Sequence, residues 1–236
     1  ATRIEAALVN LFCTAENERA LRTITGSGIF IDPHGIILTN AHIAQFLLLS
    51  EDAAQTKTQC TIRQGSPAVA TYIADLLYMS PEWITKNADQ LSASKPSGTG
   101  EKDFALLYVT QAIDRKLSET FPSLTPAPLA PLFKHMDIRA AGYPAEILTT
   151  KNTRAPLLPG VATTTITQLF TFGSGDVDLV ALAPSTVGQQ GSSGGPIVNE
   201  DGAVVGIITT RGNARTDGAH SLRALTLSYI DRTLRE

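Results

Sequence analysis

Short apolar and β-branched runs, each ended by a turn, fill this chain and leave little room for helices. Residues 7–13, 27–32, 36–40, 59–64, 104–109, 138–143, 162–170, 178–183, 196–199, 203–210 and 222–227 read as strands. Asp32-Pro33-His34-Gly35 and Asn199-Glu200-Asp201-Gly202 carry the residue types that close hairpins. Many short strands with punctual turns predict an all-β sandwich or barrel. A short helical turn is expected after Asn40, and a final helix from Ser228 to about Arg235, opened by Ser228-x-x-Asp231 as a capping box. Residues 80–102 read as a long polar surface loop. Residues 116–135, with Pro122, Pro126, Pro128 and Pro131, read as a linker between two β halves.

Composition narrows the function classes. A chain of 236 residues makes one large domain or two small ones, and 43% hydrophobic residues suffice for a core. Charged residues are 17%, below the roughly 25% of an average soluble domain, which suits a secreted-type β domain. A net charge of -3 with no basic run argues against a nucleic-acid partner. The longest apolar stretches, such as 43-IAQFLLL-49, are too short to span a bilayer. No signal peptide is visible at Ala1, which leaves open a numbering that starts after one or after an anchor. Cys13 and Cys60 are either two buried thiols or one disulfide, and their spacing does not fit zinc. No ligand cluster points to a metal or other cofactor. The stretch 98-GTGEK-102 lacks the spacing and the preceding strand of a phosphate loop.

Chemistry concentrates in 188-GQQGSSGGPIV-198. It matches G-x-S-x-G at Gly191 to Gly195, but a nucleophile elbow needs a helix next, and here Pro196 and a hairpin follow. The alternative takes Ser193 as nucleophile within Ser-Gly-Gly-Pro. The N–H groups of Gly191 and Ser193 would then converge as an oxyanion hole. A serine needs a base. Of the four histidines, His34 lies in a turn, and His135 and His220 read as loop residues. His42, where a strand passes into a helical turn, is the candidate. Asp103 opens the apolar run 103-DFALLYV-109, and a carboxylate placed to be buried there needs a partner.

Together, 26-GSGIFIDPHGIILTNAHIA-44, 103-DFALL-107, 141-AGYP-144 and 191-GSSGGPIVNEDGAVVGI-207 resemble the landmarks of chymotrypsin-like (trypsin-fold) serine proteases. The order His, Asp, Ser matches, with separations of 61 and 90 residues. Members activated by a cleaved N-terminus hold an Asp just before the nucleophile, where this chain has Ser192, so that ion pair is not expected. The phrases LTNAH and DFALL look most like the bacterial HtrA (Deg-type) group. That group usually has Asn before the nucleophile and often a PDZ domain. Neither is present in this chain, so peptide-triggered regulation is not expected.

The resemblance implies two six-stranded antiparallel β-barrels: barrel one at about 1–115, a linker at 116–135, barrel two at 136–227 and a helix at 228–235. It implies a serine endopeptidase acting on proteins or peptides through His42, Asp103 and Ser193. It makes the strands of Cys13 and Cys60 neighbours, close enough for a disulfide. It lines the primary substrate pocket with Val187, Gly188, Thr209, Thr210 and Arg211. Val187 stands where trypsin-like members carry an acid, so small or medium apolar residues are expected in place of Lys or Arg. An extracytoplasmic location is expected, whether secreted, periplasmic or anchored. A catalytically silent, protein-binding relative is the alternative.

Overall fold

The Asp32–Gly35 turn forms as its residues dictate. Asp32 Oδ1 accepts the N–H of His34 at 2.7 Å, and Gly35 takes φ 94°, which a side chain would resist. This turn joins β2 (Leu21–Asp32) to β3 (Ile36–Thr39). The structure is a computed structural model that describes residues 2–16, 21–51, 57–87, 99–145, 156–173, 175–188, 190–214 and 220–236.

A short helix, α1 (Arg3–Ala7), precedes barrel one, which is completed by β1 (Leu8–Glu16), β4 (Lys57–Gln64), β5 (Val69–Met79) and β6 (Ala105–Ala112), in the order β1-β2-β3-β6-β5-β4 with β4 closing on β1. Barrel two contains β7 (Asp137–Gly142), β8 (Gly160–Phe170), β9 (Leu179–Leu182), β10 (Pro196–Val198), β11 (Val204–Ala214) and β12 (His220–Thr226). Its order, β7-β8-β9-β12-β11-β10, repeats that of barrel one. Closure leaves neither sheet with a free edge. Phe30, Leu8, Leu11, Ile37 and Leu107 fill the first barrel, and Ile138, Ile166, Leu182, Ile197 and Ile208 fill the second. No helix among the described residues is long and apolar enough to cross a membrane.

Cys13 and Cys60 face each other across β1 and β4 and are joined by a disulfide, with Cα atoms 4.0 Å apart. The proline-bearing segment between the barrels is pinned to both. Phe121 and Leu124 donate their N–H groups to Pro33 and Phe30 of barrel one. Thr125 and Ala127 exchange backbone hydrogen bonds with Val204 of barrel two. Phe121 stacks on Phe30 at 5.0 Å, so this segment also contributes to the core.

Four local expectations need correction. β5 was not anticipated, because its burial does not alternate and two register shifts against β6 break its period. Within the expected 80–102 loop, Pro81–Asn87 form a helix, α3, with proline at its first position and Trp83 buried beneath it; residues 88–98 of that loop lie outside the described residues. The last helix, α4 (Leu227–Arg235), is capped by Thr226, whose hydroxyl accepts the N–H of Tyr229 at 3.1 Å. Ser228 lies inside the helix and accepts from Arg232, while Asp231 pairs with Arg235, so no capping box forms. His220 begins β12 rather than lying in a loop.

Candidate active site

His42 sits where β3 ends and a single helical turn, α2 (Ala41–Ala44), begins. Asn40 ends the strand with extended backbone, and its amide donates to the carbonyl of Asp103 at 2.9 Å. This contact draws the 103 segment against the His42 turn. Asp103 then receives the backbone N–H of His42 on Oδ1 at 2.9 Å, and His42 Nδ1 lies 2.8 Å from Oδ2. The side chain of Asp103 is 6% exposed and that of His42 30%. An ionised carboxylate can only accept, so Nδ1 carries the proton and Nε2 is left as the basic nitrogen. Burial opposes the charge on both groups. Mutual attraction and hydrogen bonding outweigh it, holding His42 above its ordinary 6.5 and Asp103 below its ordinary 3.8.

Ser193 reaches this site from the other barrel. The loop before β10 is held by backbone hydrogen bonds from Gly194 to Ile208, from Ile208 to Gly195 and from Gly195 to Ser192. Gly191 has φ 93°, and a Cβ there would lie 2.4 Å from the carbonyl oxygen of Tyr143. Only glycine fits that backbone. Among the described residues, neither the N–H of Gly191 nor that of Ser193 meets an acceptor. Ser193 is half-buried, and its Oγ donates to the carbonyl oxygen of Thr209 at 3.4 Å. No hydrogen bond joins it to His42 among the described residues. Ser192 is fully buried with its Cβ and Oγ against Gly142, and so has no access to solvent.

The trypsin-like peptidase domain family matches residues 26–207, which span all three of these side chains. The chain belongs to that family. Serine protease HTR4 of Rattus norvegicus is 24% identical over 214 residues, covering 89% of this chain but 35% of that protein. The chain therefore spans about a third of the length of that relative. The fold matches the MamO protease domain from Magnetospirillum magneticum at a TM-score of 0.59 and 15% identity, over 99% and 98% of the two chains. It also matches the active form of the Rv3671c protease from M. tuberculosis at 0.58 and 19%, over 98% and 81%.

In this trypsin-like peptidase domain, the residues assigned to the substrate pocket take several positions. Val187 is fully buried in the core of barrel two and presents no surface. Gly188 ends a turn, donating its N–H to Ser185 at 3.0 Å, with Leu222 beside it. Thr209 is buried, and its Oγ1 donates to Asp103 Oδ2 at 2.6 Å. Thr210 and Arg211 continue β11 across a register shift, and their side chains lie outside the described residues. The sequence reading missed Thr209 as a partner of Asp103, a contact between residues 106 apart that no local pattern signals. Among the described residues, no three His, Cys, Asp or Glu side chains cluster closely enough to hold a metal ion.

Proposed function

We propose that this trypsin-like peptidase domain is a serine endopeptidase that works through an acyl-enzyme. The observation that carries the reading is the doubly held carboxylate of Asp103, which takes His42 Nδ1 at 2.8 Å and Thr209 Oγ1 at 2.6 Å on one oxygen. That arrangement fixes the imidazole tautomer and stabilises its protonated form. Ser193 Oγ attacks the substrate carbonyl and passes its proton to His42 Nε2. The N–H groups of Gly191 and Ser193 receive the oxyanion. The intermediate collapses as His42 returns the proton to the leaving amine, and water, activated in turn by His42, releases the acyl group.

A second reading, a catalytically silent protein-binding domain, is favoured by one observation: Ser193 Oγ bonds Thr209 and not His42. At 3.4 Å that bond is long for a hydroxyl donor, and it yields at little cost. Hydrogen bonds in resting active sites often tighten only when substrate arrives. The endopeptidase reading is therefore preferred.

The substrates are proteins or peptides. The proposed specificity, for small or medium apolar residues, rests on the family resemblance, since Val187 itself is buried in the core of barrel two. The backbone of Thr209 to Arg211 pairs an extended substrate as an added strand. The Cys13–Cys60 disulfide supports an extracytoplasmic location. Cleavage of a peptide library by the wild type and by Ser193→Ala tests the reading. The expected profile has apolar residues before the cut and vanishes in the variant. Cutting only after Lys or Arg refutes the specificity.

A further inference from the structure

The nucleophile loop is tied down by hydrogen bonds, yet the residue before the nucleophile, Ser192, is uncharged and buried and its Oγ finds no hydrogen-bond partner among the described residues. No ion pair at that position holds the loop. Beside the loop's own backbone hydrogen bonds, among them Gly195 N–H to the Ser192 carbonyl, restraint comes from the opposite barrel, through Ser27 on β2. Ser27 is fully buried. Its Oγ donates to the carbonyl oxygen of Gly191 at 2.7 Å and accepts the N–H of Tyr143 at 2.8 Å. Its own N–H donates to the carbonyl oxygen of Ser193 at 2.7 Å. Its carbonyl accepts from Thr39 Oγ1 at 2.7 Å, which holds Ser27 to the strand leading into His42.

The peptide group is planar, so fixing a carbonyl fixes the direction of the N–H opposite it. Ser27 holds the 191–192 and 193–194 peptide planes. These flank the plane that carries the N–H of Ser193. The plane that carries the N–H of Gly191 is held on its other side, where Ala145 N–H donates to Gln190 at 2.7 Å. Gly194 permits this approach, since a Cβ there would lie 2.0 Å from the Ser27 carbonyl oxygen.

We propose that Ser27 is a positioning residue that locks the oxyanion-hole loop in its working form, in place of a charged residue before the nucleophile. The hydroxyl holds the Gly191 carbonyl and the main-chain N–H the Ser193 carbonyl, both from barrel one, so loop order depends on the two barrels being docked. The proposal rests on the endopeptidase reading, and its test separates the two.

Ser27→Ala removes the hydroxyl and leaves the rest of the strand intact. Misplaced oxyanion donors cost about 100-fold in rate, so kcat is expected to fall by about that factor with KM within about twofold of wild type. Amide hydrogen exchange across residues 190–195 is read on the same proteins and does not depend on turnover. It is expected to quicken in Ser27→Ala while exchange in the β8 and β9 strands is unchanged. Ser27→Cys keeps a weak donor in nearly the same space and carries the test if the alanine variant does not fold, with kcat between the other two. A folded Ser27→Ala protein with wild-type exchange in the loop overturns the proposal. So does one whose melting temperature falls while kcat does not. If the wild type shows no activity, the endopeptidase reading fails, and the exchange measurement still decides whether Ser27 holds the loop.

Discussion

Thr209 donates its hydroxyl proton to Oδ2 of Asp103 at 2.6 Å, from barrel two into barrel one. The carbonyl of the same residue accepts from Ser193 Oγ. One residue of β11 therefore touches both the carboxylate and the hydroxyl of the candidate triad, and ties the two barrels together at the site.

Replacing Thr209 by Val keeps the volume and removes one donor from a buried carboxylate. A hydrogen bond to a charged group contributes about 1.5–3 kcal/mol, so kcat/KM is expected to drop by roughly 10- to 150-fold. Thr209→Ser, which retains the hydroxyl, is expected to stay within about threefold of wild type. Steady-state kinetics on a common peptide checks both, and a valine variant with wild-type kcat/KM contradicts the assigned role.

The charge balance at His42 sets the pH profile. Burial pulls its pKa down, but the neighbouring Asp103 carboxylate and the Nδ1 bond together hold it above 6.5. The neutral ring is the base, so kcat/KM is expected to rise with pH through a midpoint above 6.5. For stability the sign is opposite. The His42 contribution is present at low pH and is lost as pH rises through the folded value. That of Asp103, held below 3.8, is present above 3.8 and is lost as pH falls through its folded value. A rate profile with its midpoint below 6.5 contradicts this balance.

Some of this was legible in the sequence and some was not. The turns at Asp32–Gly35 and Asn199–Gly202 carry their own chemistry, and most strands follow from apolar runs between such turns. β5 did not read as a strand because bulges near Ile73 and Tyr78 shift its pairing with β6 and break the period-two signal. Thr226 was missed as the helix cap because Ser228 and Asp231 had a cap-like spacing, and only the packed helix shows them paired elsewhere. The Thr209–Asp103 and Ser27–Gly191 contacts span 106 and 164 residues. Local patterns carry no information on such pairs. They arise only when two closed barrels dock, so the reading placed Thr209 in a pocket wall and gave Ser27 no role.

The Cys13–Cys60 disulfide closes a loop with a sequence separation of 47. On the chain-entropy account that closure stabilises the fold by about 4 kcal/mol. Cys13→Ala/Cys60→Ala is expected to shift the urea midpoint down accordingly. Alkylation of the unreduced, unfolded wild type is expected to label no thiol. Two labelled thiols there contradict the bond.

Ser193, activated by His42 and Asp103, is the proposed nucleophile. A fluorophosphonate reacts with an activated serine and leaves a covalent adduct whose position mass spectrometry reads directly. One adduct per chain is expected, on Ser193, forming faster as pH rises through the titration of His42 and absent in Ser193→Ala. A wild-type protein that stays unlabelled at every pH, or an adduct that persists on Ser192 in the variant, contradicts it.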